Sequence, residues 1–103
     1  MHFAFIGIMD WTMVNNAKTP ADRVRTIFYL FRFRYETDAR TAGTRLSDET
    51  PGNQMCRQTI AELRGELATP SKDLGMVGFS DSEVRDYLAR LLAAYDERVG
   101  GSI

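Results

Sequence analysis

The chain has 103 residues, of which 44% are hydrophobic and 26% are charged, and its formal net charge at neutral pH is −1. This balance excludes a disordered chain, which would have few apolar residues and a large net charge. It also excludes a strongly basic protein that binds nucleic acid through its overall charge. The length fits one domain, residues 1–103, and is too short for two.

The N-terminal segment, from Phe3 to Val14, is apolar on nearly all sides. Such a segment forms either a buried helix or a central strand, and periodicity does not distinguish the two. Asp10 interrupts the apolar run well before the ~20 residues that a membrane-spanning helix needs. A basic region of the kind that opens a signal peptide is also missing. We therefore expect no membrane partner and a cytoplasmic location.

The second segment begins with a helix start signal and then becomes ambiguous. Thr19-Pro20-Ala21-Asp22 supplies a capping hydroxyl, a proline for the first helical position and an acid for the first turn. Residues 31–36 alternate between apolar and charged, as a strand would. We favour a helix because a longer apolar stripe has helical spacing. The stripe consists of Val24, Ile27, Phe28, Phe31 and Tyr35.

Residues 42–54 are polar and include Pro51 and Gly52, so they are interpreted as a long loop. The next helix is marked by apolar residues at helical spacing: Cys56, Ile60, Leu63 and Leu67. Because Cys56 lies on this stripe, it is expected to be a small buried residue and not a reactive thiol. A single cysteine also excludes an internal disulfide.

The last helix has the clearest signals. Ser80 and Glu83 stand at the spacing of a capping box, and Gly100 with Gly101 predicts the end of the helix. Between them the apolar residues form one continuous stripe, which is typical of a helix that packs on a core. These residues are Val84, Tyr87, Leu88, Leu91, Leu92, Tyr95 and Val99.

Together these segments predict an all-α fold, a small four-helix domain with main helices near 3–15, 20–40, 54–67 and 81–98. The alternative is an α+β fold in which strands near 3–9 and 26–36 pair and the two C-terminal helices remain. The expected core consists of Phe28, Phe31, Ile60, Leu63, Leu88, Leu91 and Leu92.

The sequence contains no recognisable catalytic, metal or cofactor motif. His2 is the only histidine, and no cysteine pair or second metal ligand accompanies it. The acids on the predicted helices stand beside arginines, which indicates solvated ion pairs. Gly75 and Gly78 lack the lysine that a phosphate-binding loop needs. We therefore predict a protein that is not an enzyme and that uses neither metal nor cofactor.

The informative feature is a second apolar face on the second helix. If the stripe through Phe28 and Phe31 is buried, Tyr29 and Phe33 point away from the core, with Arg25 and Arg32 on the same side. Aromatic residues and arginine are enriched at protein interfaces. The sequence thus predicts an accessory or adaptor module that binds protein, with a homodimer as the expected state.

Two alternatives stay open at this point. The first is a nucleic-acid-binding protein that uses the segment 23–45, where aromatic residues alternate with arginines. The second is a small-ligand-binding protein whose site has no recognisable motif. The arginines of the first alternative are Arg23, Arg25, Arg32, Arg34, Arg40 and Arg45.

Overall fold

The structure is a computed structural model that describes residues 6–100. The all-α class is confirmed, and the alternative strand pair is not formed, since residues 20–34 are helical and residues 6–9 contain no strand. Within these residues the helices are α1 (Ile8–Asn16), α2 (Pro20–Tyr29), α3 (Ala39–Glu49), α4 (Gln54–Leu67) and α5 (Asp81–Gly100). A π-helical turn, Leu30–Arg34, continues α2.

The helices begin where local capping favours a start. The Thr19 side chain accepts a hydrogen bond from the Asp22 amide at 3.1 Å and opens α2. At α5 the predicted capping box is confirmed, because the Ser80 amide donates to Glu83 at 2.8 Å and the Glu83 amide donates to Ser80 Oγ at 3.2 Å. These side chains satisfy N–H groups that have no partner within the helix.

The second helix ends earlier than predicted. Its last turn widens, since the Tyr35 amide donates to the Leu30 carbonyl at 2.8 Å and the Thr37 amide donates to the Phe31 carbonyl at 2.7 Å. Glu36 then adopts φ +50°, a left-handed conformation that is uncommon for a residue with a side chain. The helix therefore ends at Arg34 and does not continue to residue 40 as predicted.

The prediction of a loop over residues 42–54 is wrong, because most of α3 occupies this stretch. Asp38 caps this helix by accepting the Thr41 amide at 2.8 Å. The helix faces α5 with Ala39, Ala42 and Gly43, which are too small to form a visible apolar stripe. A Cβ at Gly43 would lie 2.2 Å from the Leu91 carbonyl oxygen of α5, so the two backbones approach closely.

The buried side chains form one cluster to which every helix contributes. Of the predicted core, Phe28, Phe31, Ile60, Leu63, Leu88 and Leu91 are buried. Leu92 is a correction, because it lies at the edge of the cluster and is only half-buried.

Cys56 is buried as predicted, and its Sγ lies 3.4 Å from the Leu46 carbonyl oxygen. Burial raises the pKa of the Cys56 thiol, which suits an inert core residue. The histidine discussed above, His2, lies outside the described residues.

Candidate interaction surface

Tyr29 and Phe33 lie on the outer side of α2 and its π-helical turn. Their side chains are 40% and 43% exposed, whereas Phe28 and Phe31 on the same segment are buried. The two outer rings pack on each other with centroids 5.6 Å apart. The orientation predicted from the spacing is confirmed, and the role of these residues in a contact stays a prediction.

Neighbouring elements extend this exposed pair. Met9 and Met13 on α1 are exposed, Met9 by 77%, and Val77 in the turn before α5 is 99% exposed. Met13 and Tyr29 line one hollow of about 440 Å³ together with Met76, the residue before Val77. We define the methionine–aromatic surface as Met9, Met13, Tyr29, Phe33 and Val77.

Met9, Met13 and Val77 were not among the residues predicted for this surface. Because α1 is apolar on nearly all sides, its own sequence does not show which face meets the core. The i, i+4 spacing of Met9 and Met13 places them on one face, and this is the signal that could have suggested a pair. Val77 lies in a turn directly before Gly78, where a single exposed apolar side chain is unremarkable.

Phe33 is held in place by Phe79, which lies between it and the core. The ring centroid of Phe79 is 5.2 Å from that of Phe33 and 5.2 Å from that of the buried Phe28. Arg32 contacts both rings, with its Cζ 5.8 Å from the Phe33 centroid and 5.7 Å from the Phe79 centroid. Both contacts have geometries that stabilise aromatic rings. Phe33 is therefore preorganised, so binding would cost little side-chain entropy.

Arg25 borders the hollow next to Tyr29, but its guanidinium is engaged within the chain. Its Nη1 lies 2.7 Å from Asp22 Oδ1, and its Nη2 donates to the Asp73 carbonyl at 2.5 Å. Of the four predicted interface residues, Arg25 thus has the clearest structural role, which is to hold the 73–79 turn against α2.

The two helices that carry the surface are joined by Asp10 of α1. This buried carboxylate accepts a hydrogen bond from the Tyr35 hydroxyl, and its Oδ1 lies 3.4 Å from Arg34 Nε. Burial, together with the hydrogen bond to Asp10, raises the pKa of Tyr35, so this hydroxyl stays protonated and remains a donor. The contact sets the position of Met9 and Met13 relative to Tyr29 and Phe33.

Charge is unevenly distributed along the fold. Residues 6–35, which form α1, α2 and the π-helical turn, contain five cations and two carboxylates and therefore carry +3. Residues 36–100 contain eight cations and twelve carboxylates and carry −4. The methionine–aromatic surface thus lies mainly on the positively charged part of the chain.

On the other side of Phe33, the π-helical turn, the start of α3 and α5 enclose an open cleft of about 540 Å³. The two arginines that line it, Arg32 and Arg90, are balanced by the carboxylates of Glu36 and Asp38. Tyr87 at its base donates to the Thr37 carbonyl at 2.5 Å, and burial raises the pKa of this tyrosine to about 12. The cleft offers neither a net charge nor an activated nucleophile.

The part of the chain that the structure describes, residues 6–100, contains no group of three or more histidine, cysteine or acidic side chains that could hold a metal ion. None of its helices combines the length and the apolar character that crossing a bilayer requires.

The arginines of the segment 23–45 are mostly engaged in ion pairs. Four of the six contact carboxylates: Arg23 with Glu62 at 2.7 Å, Arg25 with Asp22 at 2.7 Å, Arg34 with Asp10 at 3.4 Å and Arg40 with Glu97 at 3.3 Å. These pairs reduce the number of cations that could contact phosphates. The nucleic-acid alternative stays an untested prediction.

No protein-family model matches this chain, and neither curated proteins nor solved structures show significant similarity to it. A functional proposal therefore rests on the chain's own residues and their geometry.

Proposed function

We propose that the protein is a non-enzymatic protein–protein interaction module, of accessory or adaptor type, and that it binds through the methionine–aromatic surface. One observation carries the proposal: α1, α2 and the turn before α5 contribute Met13, Tyr29 and Met76 to one open hollow, and the side chains of Met13 and Tyr29 are exposed. Soluble proteins rarely leave such a patch in water unless it has a binding role. Aromatic residues, methionine and arginine are also the types that interfaces favour.

The packing of the side chains within this surface supports the same proposal. Phe33 packs against Phe79 and Arg32, and Tyr29 packs on Phe33. Rigid aromatic side chains near the centre of a contact commonly supply most of its binding free energy. The two rings are therefore proposed as the anchors of the interface.

Self-association is part of this proposal, with a homodimer as the expected state. A symmetric dimer would place Tyr29 and Phe33 of one copy against the same surface of the other, which removes both patches from water at once.

We also propose a cytoplasmic location, which is supported by the unpaired, buried Cys56.

The test is the double change Tyr29→Ala with Phe33→Ala. Truncation of an anchor typically costs ~2 kcal/mol or more, so sedimentation velocity should show a shift from dimer to monomer. Circular dichroism should show an unchanged helical content, because both side chains are outside the core.

Ile8→Ala is the matched control. Ile8 is an exposed apolar residue of α1, but it borders a different hollow, with Trp11 and Glu49. This variant should associate as the wild type does. A double variant that folds and associates like the wild type would contradict the proposal, and so would one that unfolds, since the rings would then belong to the core.

A further inference from the structure

Methionine is concentrated at the methionine–aromatic surface. Residues 6–100 contain four methionines, and three of them line either the hollow described above or a neighbouring hollow of about 580 Å³. Met13 lines both hollows, Met76 lines the first, and Met9 lines the second. Met9 is 77% exposed and Met13 is 39% exposed, so small solutes can reach both side chains, whereas the fourth methionine, Met55 on α4, is half-buried.

The cysteine of this chain is much less open to oxidation than these methionines. Cys56 is buried, and its Sγ lies 3.4 Å from the Leu46 carbonyl oxygen. Burial raises the pKa of this thiol, so little of the reactive thiolate is available. A thioether reacts without ionisation, and therefore exposure decides which methionine is oxidised. An oxidant is thus expected to react first at Met9 and Met13.

We propose that Met13, together with Met9, is an oxidation site that controls association through this surface. The inference rests on the proposed function, because it concerns the regulation of the same contact. The oxidant is hydrogen peroxide, which transfers one oxygen atom to the sulfur: the O–O bond breaks, an S–O bond forms, and the rest of the peroxide leaves as water. Sulfur loses two electrons in this step and the peroxide gains them. Methionine sulfoxide reductases reverse the change, with thiols as the reductant.

The sulfoxide would place a polar group in a contact that is otherwise mainly apolar. The hollow around Met13 includes Ala17, Tyr29 and Met76 among its lining residues. A second copy that covers Met13 must remove the sulfoxide oxygen from water, and apolar side chains offer it no hydrogen-bond donor. Both copies of a symmetric dimer carry this penalty. Oxidation of Met9 and Met13 should therefore raise the dissociation constant of the dimer by about ten-fold or more.

The test compares the full chain before and after treatment with hydrogen peroxide. Mass spectrometry of peptides locates the added oxygen atoms, and sedimentation velocity measures association. We expect Met9 and Met13 to be oxidised before Met55, and association to be lost in step with the oxidation of Met13. Treatment with the two reductases, one for each sulfoxide epimer, and a thiol should restore association. Circular dichroism should show an unchanged helical content, because neither side chain belongs to the buried cluster.

A concentration series separates regulation from simple exposure. If the dimer covers Met13, raising the protein concentration should slow the oxidation of Met13. The rate at Met55, which lies on α4 and lines neither hollow, should stay the same.

The double change Met9→Leu with Met13→Leu isolates the contribution of the sulfur atoms. Leucine replaces methionine with little change in volume, so this variant should associate as the wild type does and continue to associate after peroxide treatment. Met55→Leu is the matched control, and it should lose association after peroxide treatment as the wild type does. Met13→Gln places a polar group in the hollow without any oxidant and should weaken association by itself.

Three outcomes would overturn the inference. The first is association that persists when Met9 and Met13 are both oxidised, the second is loss of association in the peroxide-treated leucine variant, and the third is unfolding of the oxidised wild type. In each case the proposed function stands if association of the untreated protein depends on Tyr29 and Phe33. If those two rings affect no association, the proposed function itself fails and the inference fails with it.

Discussion

The close approach of α3 and α5 gives the sharpest prediction about stability. At Gly43 an added Cβ would lie 2.2 Å from the Leu91 carbonyl oxygen, 2.9 Å from Ala94 Cβ and 2.9 Å from the Tyr95 amide nitrogen. Ordinary Cβ contacts begin near 3.4 Å, and two of these three atoms are backbone. Gly43→Ala must therefore push the helices apart by more than about 1 Å, which opens gaps among the buried residues on both sides.

The expected size follows from two opposing effects. Alanine in place of glycine favours a helix by about 1 kcal/mol. Overpacking typically costs ~1–3 kcal/mol, and a clash with backbone lies at the upper end of that range or beyond it. We expect a net loss of about 2 kcal/mol, which for a chain of this size lowers the melting temperature by about 10 °C.

Gly65→Ala is the matched control. Gly65 lies inside α4, and an added Cβ there meets nothing within 4 Å. The only remaining effect is that alanine favours a helix more than glycine does, so the free energy of unfolding of this variant should rise by about 0.5–1 kcal/mol. Urea unfolding followed by circular dichroism measures both changes. If Gly43→Ala raises the free energy of unfolding as much as Gly65→Ala does, the close packing of α3 on α5 is refuted.

Two further predictions concern polar and strained positions. Glu49 is buried and accepts hydrogen bonds from the Ile6 amide at 2.9 Å and from Trp11 Nε1 at 3.1 Å, so Glu49→Ala should cost ~2–4 kcal/mol by leaving two buried donors without a partner. The same change at the exposed neighbour Asp48 should cost less than about 1 kcal/mol in the same unfolding assay, and equal losses would contradict the role of the buried carboxylate. Glu36→Gly should stabilise the chain by about 0.5–1 kcal/mol, because glycine adopts the φ of +50° without the steric cost that a side chain adds. A lower melting temperature for this variant would show that the Glu36 side chain makes a contact that outweighs its backbone strain.

Short-range signals were sufficient for much of the fold. The starts of α2 and α5 follow from the hydroxyls of Thr19 and Ser80, which satisfy amides within three residues. The stripe through Phe28 and Phe31 identified the buried face of α2, and the exposure of Tyr29 and Phe33 follows from the same geometry. These features depend on helical spacing and on neighbours in sequence, which a single chain displays directly.

Three features were decided only by tertiary structure. The polar residues of α3 form a helix because Gly43 and two alanines let it pack closely on α5, a partner about 50 positions further along the chain. The helical segment that begins with α2 ends before Glu36, which adopts a left-handed conformation; a glycine at this position would have signalled the end in the sequence. The exposure of Met9 and Met13 depends on which side of α1 meets the core, and that side carries Trp11, Val14 and the Asp10 carboxylate that contacts Tyr35. An apolar segment has no preferred face of its own, so only the packing of distant elements could select the residues that remain in water.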